Sequence, residues 1–165
     1  MSYEGEILNS CGLINVDFSK ANIVAVSGDG INGCGHLLLF SPAGGGYYFH
    51  VAGLRTYPRY MSESGYRRYL KETKKSELRR RELNLPDPAA ALRRMESLLA
   101  EKWTWGVLPN NCVAFVEEII AAGGGNWNSY SNCPAVATAD PPGDQIGRFF
   151  QWMESEVYGV YGVGR

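Results

Sequence analysis

Leu108-Pro109-Asn110-Asn111-Cys112-Val113-Ala114-Phe115-Val116-Glu117-Glu118-Ile119-Ile120 is the stretch around which the rest of the chain is organised. It reads as a turn opening into a helix. Pro109 disfavours helical backbone in the residue before it and so separates the preceding chain. Asn111 is a good N-cap, because its side-chain oxygen accepts one of the unpaired amides of the first turn. Val113, Val116, Ile119 and Ile120 recur at helical spacing, which predicts one buried face, and Gly123 to Gly125 predict the end. Cys112 then falls on the first turn, where the helix dipole and free amides favour negative charge. That placement is expected to lower the thiol pKa and enrich the reactive thiolate. Cysteine is also a small hydrophobe that cores bury without chemistry. Histidine shifts the balance: the chain has two, His36 and His50.

Both histidines fall in one candidate hairpin. His36-Leu37-Leu38-Leu39-Phe40 reads as a buried strand, Pro42-Ala43-Gly44-Gly45-Gly46 as a turn, and Tyr47-Tyr48-Phe49-His50-Val51-Ala52 as the returning strand. A turn centred near Ala43 sets His36 across from His50. Directly opposed side chains share a face with Cβ atoms ~5 Å apart, whereas a slip of one residue would part them. The plain alternative is that each imidazole satisfies a local hydrogen bond.

Further out, Asn22 to Ser27 predicts a strand closed by Gly28-Asp29-Gly30, and Val16 to Phe18 a weaker one. Ser62 or Ser64 can cap a helix running towards Leu83. It carries Arg67, Arg68, Lys71, Lys74, Lys75, Arg79, Arg80 and Arg81 against Glu63, Glu72, Glu77 and Glu82. Such a segment is either a solvated helix with Glu–Lys/Arg pairs or a basic face, residues 63–82, for an anionic surface. No nucleic-acid motif accompanies the charges. Asp87 as N-cap and Pro88 at the first position start another helix, with Leu92, Met95, Leu99 and Trp103 as its buried stripe. After Gly125 the chain is loop-rich. Gln145 to Tyr158 predicts a last helix with Ile146, Phe149, Phe150 and Met153 inward; the tail from Tyr158 to Gly164 fits a strand or a frayed end equally.

With 165 residues, 45% of them apolar, and a formal net charge of -1, a single domain over 1–165 is expected, neither disordered nor a polyanion binder. No apolar run approaches the ~20 residues that cross a bilayer. Met1-Ser2-Tyr3-Glu4-Gly5-Glu6 lacks the basic and apolar regions of a secretory signal. The expectation is synthesis in the cytoplasm without a signal peptide, with export by a dedicated secretion system left open. Cys11, Cys34, Cys112 and Cys133 form no Cys-x-x-Cys pair, so no zinc, and no other metal or cofactor, is expected. A disulfide between two of Cys11, Cys34 and Cys133 stays open.

A thiolate at a helix N-terminus, an imidazole to take and return its proton, and a polar group to orient that imidazole make a nucleophilic acyl-transfer site. His36 is assigned as general base and His50 as the orienting group, the reverse being chemically open. The Cys112 amide and a nearby side chain such as Asn110 are candidate oxyanion donors, with Asn110 and the capping Asn111 together the oxyanion or orienting residues.

Gly35 to Phe40, the glycine turn, Tyr47 to Ala52 and the later Asn111-Cys112-Val113-Ala114-Phe115-Val116 resemble the circularly permuted papain-like proteins. The form they look most like is the lecithin:retinol acyltransferase-like group, in which two histidines on adjacent strands precede an Asn-Cys-x-x-Phe-Val helix. The resemblance spans roughly residues 22 to 125. It implies an α+β fold in which an antiparallel sheet carrying both histidines packs on the cysteine helix. Ala114 stands where that group has histidine, its membrane-spanning tail has no counterpart, and the charged stretch from Met61 to Leu83 is longer. The resemblance therefore extends to NlpC-type relatives that cleave amide bonds and include delivered bacterial toxins. It implies a cysteine hydrolase acting on a peptidoglycan peptide or a protein side chain, an antibacterial effector with an immunity or delivery partner. A phospholipase or acyltransferase on lipid acyl chains, and a catalytically inactive binding module, are the alternatives.

Overall fold

The computed structural model describes residues 2–7, 16–28, 35–52, 57–101 and 112–126, all within a unit spanning residues 1–132. Six strands form one antiparallel sheet: β1 (Glu6–Ile7), β2 (Asn22–Val26), β3 (His36–Ser41), β4 (Tyr47–His50), β5 (Arg59–Ser62) and β6 (Glu77–Glu82), in the order β1-β5-β4-β3-β2-β6. Among the described residues three α-helices accompany it: α1 (Glu63–Thr73), α2 (Pro88–Ala100) and α3 (Cys112–Ala122). The fold is mixed α+β with an antiparallel sheet, as the sequence predicts.

Alternation along the strands divides the core in two. Ile23, Ala25, Leu37, Leu39, Phe49 and Val51 point to one face, where α2 and α3 pack through Ala91, Met95, Leu98, Leu99, Phe115, Val116, Ile119 and Ile120. Val24, Val26, Leu38, Tyr48 and Met61 point to the other, covered by Tyr66 and Tyr69 of α1. The sheet is thus sandwiched, and its central strands are apolar on both sides.

Local chemistry sets the helix ends. Ser62 Oγ accepts the Gly65 amide at the start of α1, and Asp87 accepts the Ala90 amide ahead of Pro88 at the start of α2, as an N-cap does. At the end of α3, the Gly124 and Gly125 amides bond back to Ala121 and Ile120. The stripe of α2 turns out to be Ala91, Met95, Leu98 and Leu99, with Leu92 only half-buried. Trp103, the N-cap Asn111, the helix expected from Gln145, the glycine tail and Cys11, Cys34 and Cys133 lie outside the described residues. No helix among the described residues is long and apolar enough to cross a membrane.

Three expectations are corrected. The charged segment is not one helix: α1 stops at Thr73, Lys74 turns left-handed at φ 57°, and residues 77–82 form β6 against β2. A run of charges satisfies a solvated helix, but it also suits an edge strand, where charged side chains discourage further pairing. Here the open edge of β2 claims it. Val16 to Phe18 is not a strand, although Val16 and Phe18 are buried in the core. The hairpin register is also displaced. Leu39 pairs with Phe49 and Phe40 with Tyr48, so the same register sets His50 opposite Leu38 and leaves His36 diagonal to it. The turn is centred one residue later than Ala43, which moves the pairing by two and keeps both rings on one face.

Candidate active site

His36 leaves the first residue of β3 and His50 the last residue of β4. Diagonal side chains on one face are within reach when they are long or aromatic. His36 Nε2 and His50 Nδ1 meet at 2.7 Å, the rings edge to face with centroids 4.9 Å apart. His50 Nε2 lies 2.7 Å from the backbone carbonyl of Glu4.

These contacts fix the protons. A carbonyl can only accept, so His50 Nε2 carries hydrogen and, in the neutral ring, Nδ1 is the acceptor. His36 Nε2 must then donate to it, and His36 Nδ1 is left as the proton acceptor of the pair. Of the two rings, His36 is thus the one whose Nδ1 can take a proton, with His50 holding its other nitrogen.

Both rings are held neutral. His50 is buried, and desolvation lowers its pKa from 6.5 to about 4, against the Glu4 hydrogen bond and with help from the Arg59 charge. Desolvation also carries His36 well below the ordinary imidazole range, followed by the repulsion of His50 and of the Lys75 ammonium. Tyr69 of α1 covers His50 with ring centroids 5.5 Å apart. It is the near end of an aromatic row, with Tyr66 stacked on Tyr48 at 3.9 Å. Tyr48 and Tyr66 are in turn tied by Arg80, Glu63 and Glu77.

Cys112 opens α3 as a free, buried thiol. The expected lowering of its pKa is overturned: burial pushes the thiol up, although the backbone amides of Leu37, Val113 and Cys112 itself, together with the Lys75 charge, pull the other way. The helix-start amides contribute as anticipated, but the desolvation they compete with is larger. The relation of α3 to the histidines also differs from the expectation. α3 packs on the Leu37/Leu39 face, whereas His36 and His50 project from the α1 face. What joins them is the strand itself. The Leu37 amide follows His36 directly and is aimed at the Cys112 sulfur. The sulfur is thus tied to β3 at the residue that follows His36 in the chain.

Asn110 and Asn111 lie outside the described residues. The Glu4 carbonyl, Tyr69 and Lys75 were not anticipated. Lys75 was visible only as one charge among many in the segment after Met61, and a main-chain acceptor such as Glu4 leaves no mark in residue types. Among the described residues, no group of three or more His, Cys, Asp or Glu is gathered as a metal ion would need. The described residues offer a buried thiol at the start of α3, an imidazole pair whose accepting nitrogen is His36 Nδ1, and a main-chain anchor for that pair. No protein-family model, curated protein or solved structure matches the chain, so a functional reading rests on these side chains alone.

Proposed function

We propose that the chain is a thiol-dependent hydrolase of amide bonds, acting through a thioester on Cys112 in a permuted papain-like arrangement. The observation that carries this reading is the ordered proton chain from the Glu4 carbonyl through His50 to His36, beside a sulfur addressed by the Leu37 amide. In this mechanism His36 Nδ1 takes the proton of the thiol as sulfur attacks the amide carbon. The same nitrogen returns the proton to the leaving amine. Water, deprotonated by His36, then cleaves the thioester, and the imidazolium returns that proton to the departing Cys112 sulfur as the acid is released. The Cys112 amide and Asn110 would serve the oxyanion. Substrates fitting the reading are a peptidoglycan peptide or a protein side-chain amide, and an exported effector role with an immunity partner belongs with it.

A second reading, a module that kept the site's form without its chemistry, draws on the raised thiol and the depressed imidazoles. The lipid acyltransferase alternative keeps the resemblance and the aromatics behind it but not the single basic helix, which divides into α1 and an edge strand. Incubation with purified sacculi and with peptide amides, followed by intact-mass analysis, separates the first two. The hydrolase reading expects cleavage, a thioester adduct on Cys112, and loss of both in Cys112→Ala. Cleavage that persists undiminished in that variant would overturn it.

A further inference from the structure

We propose that Lys75 is a positioning residue of this site, its ammonium charge favouring the Cys112 thiolate while keeping His36 unprotonated. The inference rests on the hydrolase reading above and adds a residue to it. Lys75 follows the left-handed Lys74 that ends α1, and it is fixed from both sides. Its own amide bonds Leu70 O at 2.9 Å, and the next residue, Ser76, receives the Ser27 amide at 2.8 Å and donates its own to Ser27 Oγ at 2.9 Å. From that short bridge the half-buried side chain reaches back over the end of β2, with Nζ 3.4 Å from the Ser27 carbonyl.

The place it reaches is the corner from which His36 emerges. Ser27 follows Val26, the Cα partner of His36, and Gly35 is packed so closely here that a Cβ on it would lie 2.1 Å from the Val26 carbonyl and 3.2 Å from the Ser27 carbonyl carbon. The charge is therefore at the end of the sheet where β3 begins with His36, and not out on the solvated helix face. From there its charge pulls the Cys112 thiol down and, after His50, pushes the His36 imidazole down as well. One positive charge beside a thiol and an imidazole acts on them in opposite chemical senses: it favours the anion on sulfur and disfavours the cation on nitrogen. The result, before substrate binds, is a thiol eased towards its anion and a neutral base kept ready to accept its proton.

The test is the pH profile of Cys112 alkylation by iodoacetamide, read by peptide mass spectrometry so that the other cysteines do not interfere. Lys75→Met should slow labelling at pH 7.5 about three- to tenfold and move the profile to higher pH. Lys75→Arg, which keeps the charge, should restore most of the rate. In the unaltered chain, 1 M salt should slow Cys112 relative to a free model thiol through screening, a readout that needs no variant. A Lys75→Met profile that superimposes on the unaltered one, Lys75→Arg falling as far as Lys75→Met with its fold intact, or a flat salt response would each overturn the inference. A Cys112 that labels at no pH at which the unfolded chain labels would sink this inference and the hydrolase reading together. A shifted wild-type profile without any Lys75 effect would sink this inference alone.

Discussion

Acidification should destabilise this protein through His50 in a window that can be stated in advance. The unfolded ring takes a proton near 6.5, but the buried ring resists until about 4. Between those values the unfolded chain binds more protons, so stability rises with pH there and is lost as pH falls from 6.5 towards 4. At ~1.4 kcal/mol per tenfold change in proton affinity, the gap corresponds to about 3 kcal/mol, a large share of the roughly 5–15 kcal/mol typical of a domain. His36 is depressed in the same direction and adds to the loss. With two histidines in the chain, a proton–carbon NMR titration can assign both rings without ambiguity. His50 should titrate near 4, and urea unfolding should show a smaller loss between pH 7 and 4.5 in His50→Gln than in the unaltered chain. Two rings titrating near 6.5, or the same pH slope in both proteins, would refute the buried neutral pair and with it the assigned proton order.

Other outcomes follow from the same geometry. Turnover of an amide substrate should climb through the alkaline range, because burial raises the Cys112 thiol while His36 is already neutral at pH 7; a peak below pH 7 in the rate profile would contradict this. Gly35→Ala places a methyl group against the Val26 carbonyl at φ +74°, and should cost roughly 2–4 kcal/mol from backbone strain and overpacking together, read as a lowered melting temperature. Met95→Ala empties a fully buried position between α2 and α3 and should cost about 2–5 kcal/mol in urea unfolding.

The sequence speaks clearly where a local rule governs. Asp87 before Pro88 and Ser62 before Glu63 are capping chemistry contained in a few residues, and the helices begin where those residues say. The shared face of His36 and His50 was equally readable, because alternation has a period of two and the register error was also two. The fate of Glu77 to Glu82 was not readable in the same way. Its charges satisfy a helix surface or a sheet edge alike, and the choice is made by the unpaired amides and carbonyls of β2, which a reading of the segment alone cannot see. The thiol was misjudged for a related reason: the helix start is local, whereas the desolvation that outweighs it comes from residues distant in the chain.

The acceptor that fixes the proton on His50 is a main-chain oxygen, and no exchange of the Glu4 side chain can remove it. Natural variation should therefore be tolerated at residue 4 and refused at its neighbour. Gly5 adopts φ +98°, and a Cβ there would come within 2.8 Å of both Met61 Cγ and the Tyr60 carbonyl, while its own oxygen receives Arg59 Nη1. In the descendants of this chain, the mark of selection on the relay should be an invariant glycine that never touches either imidazole.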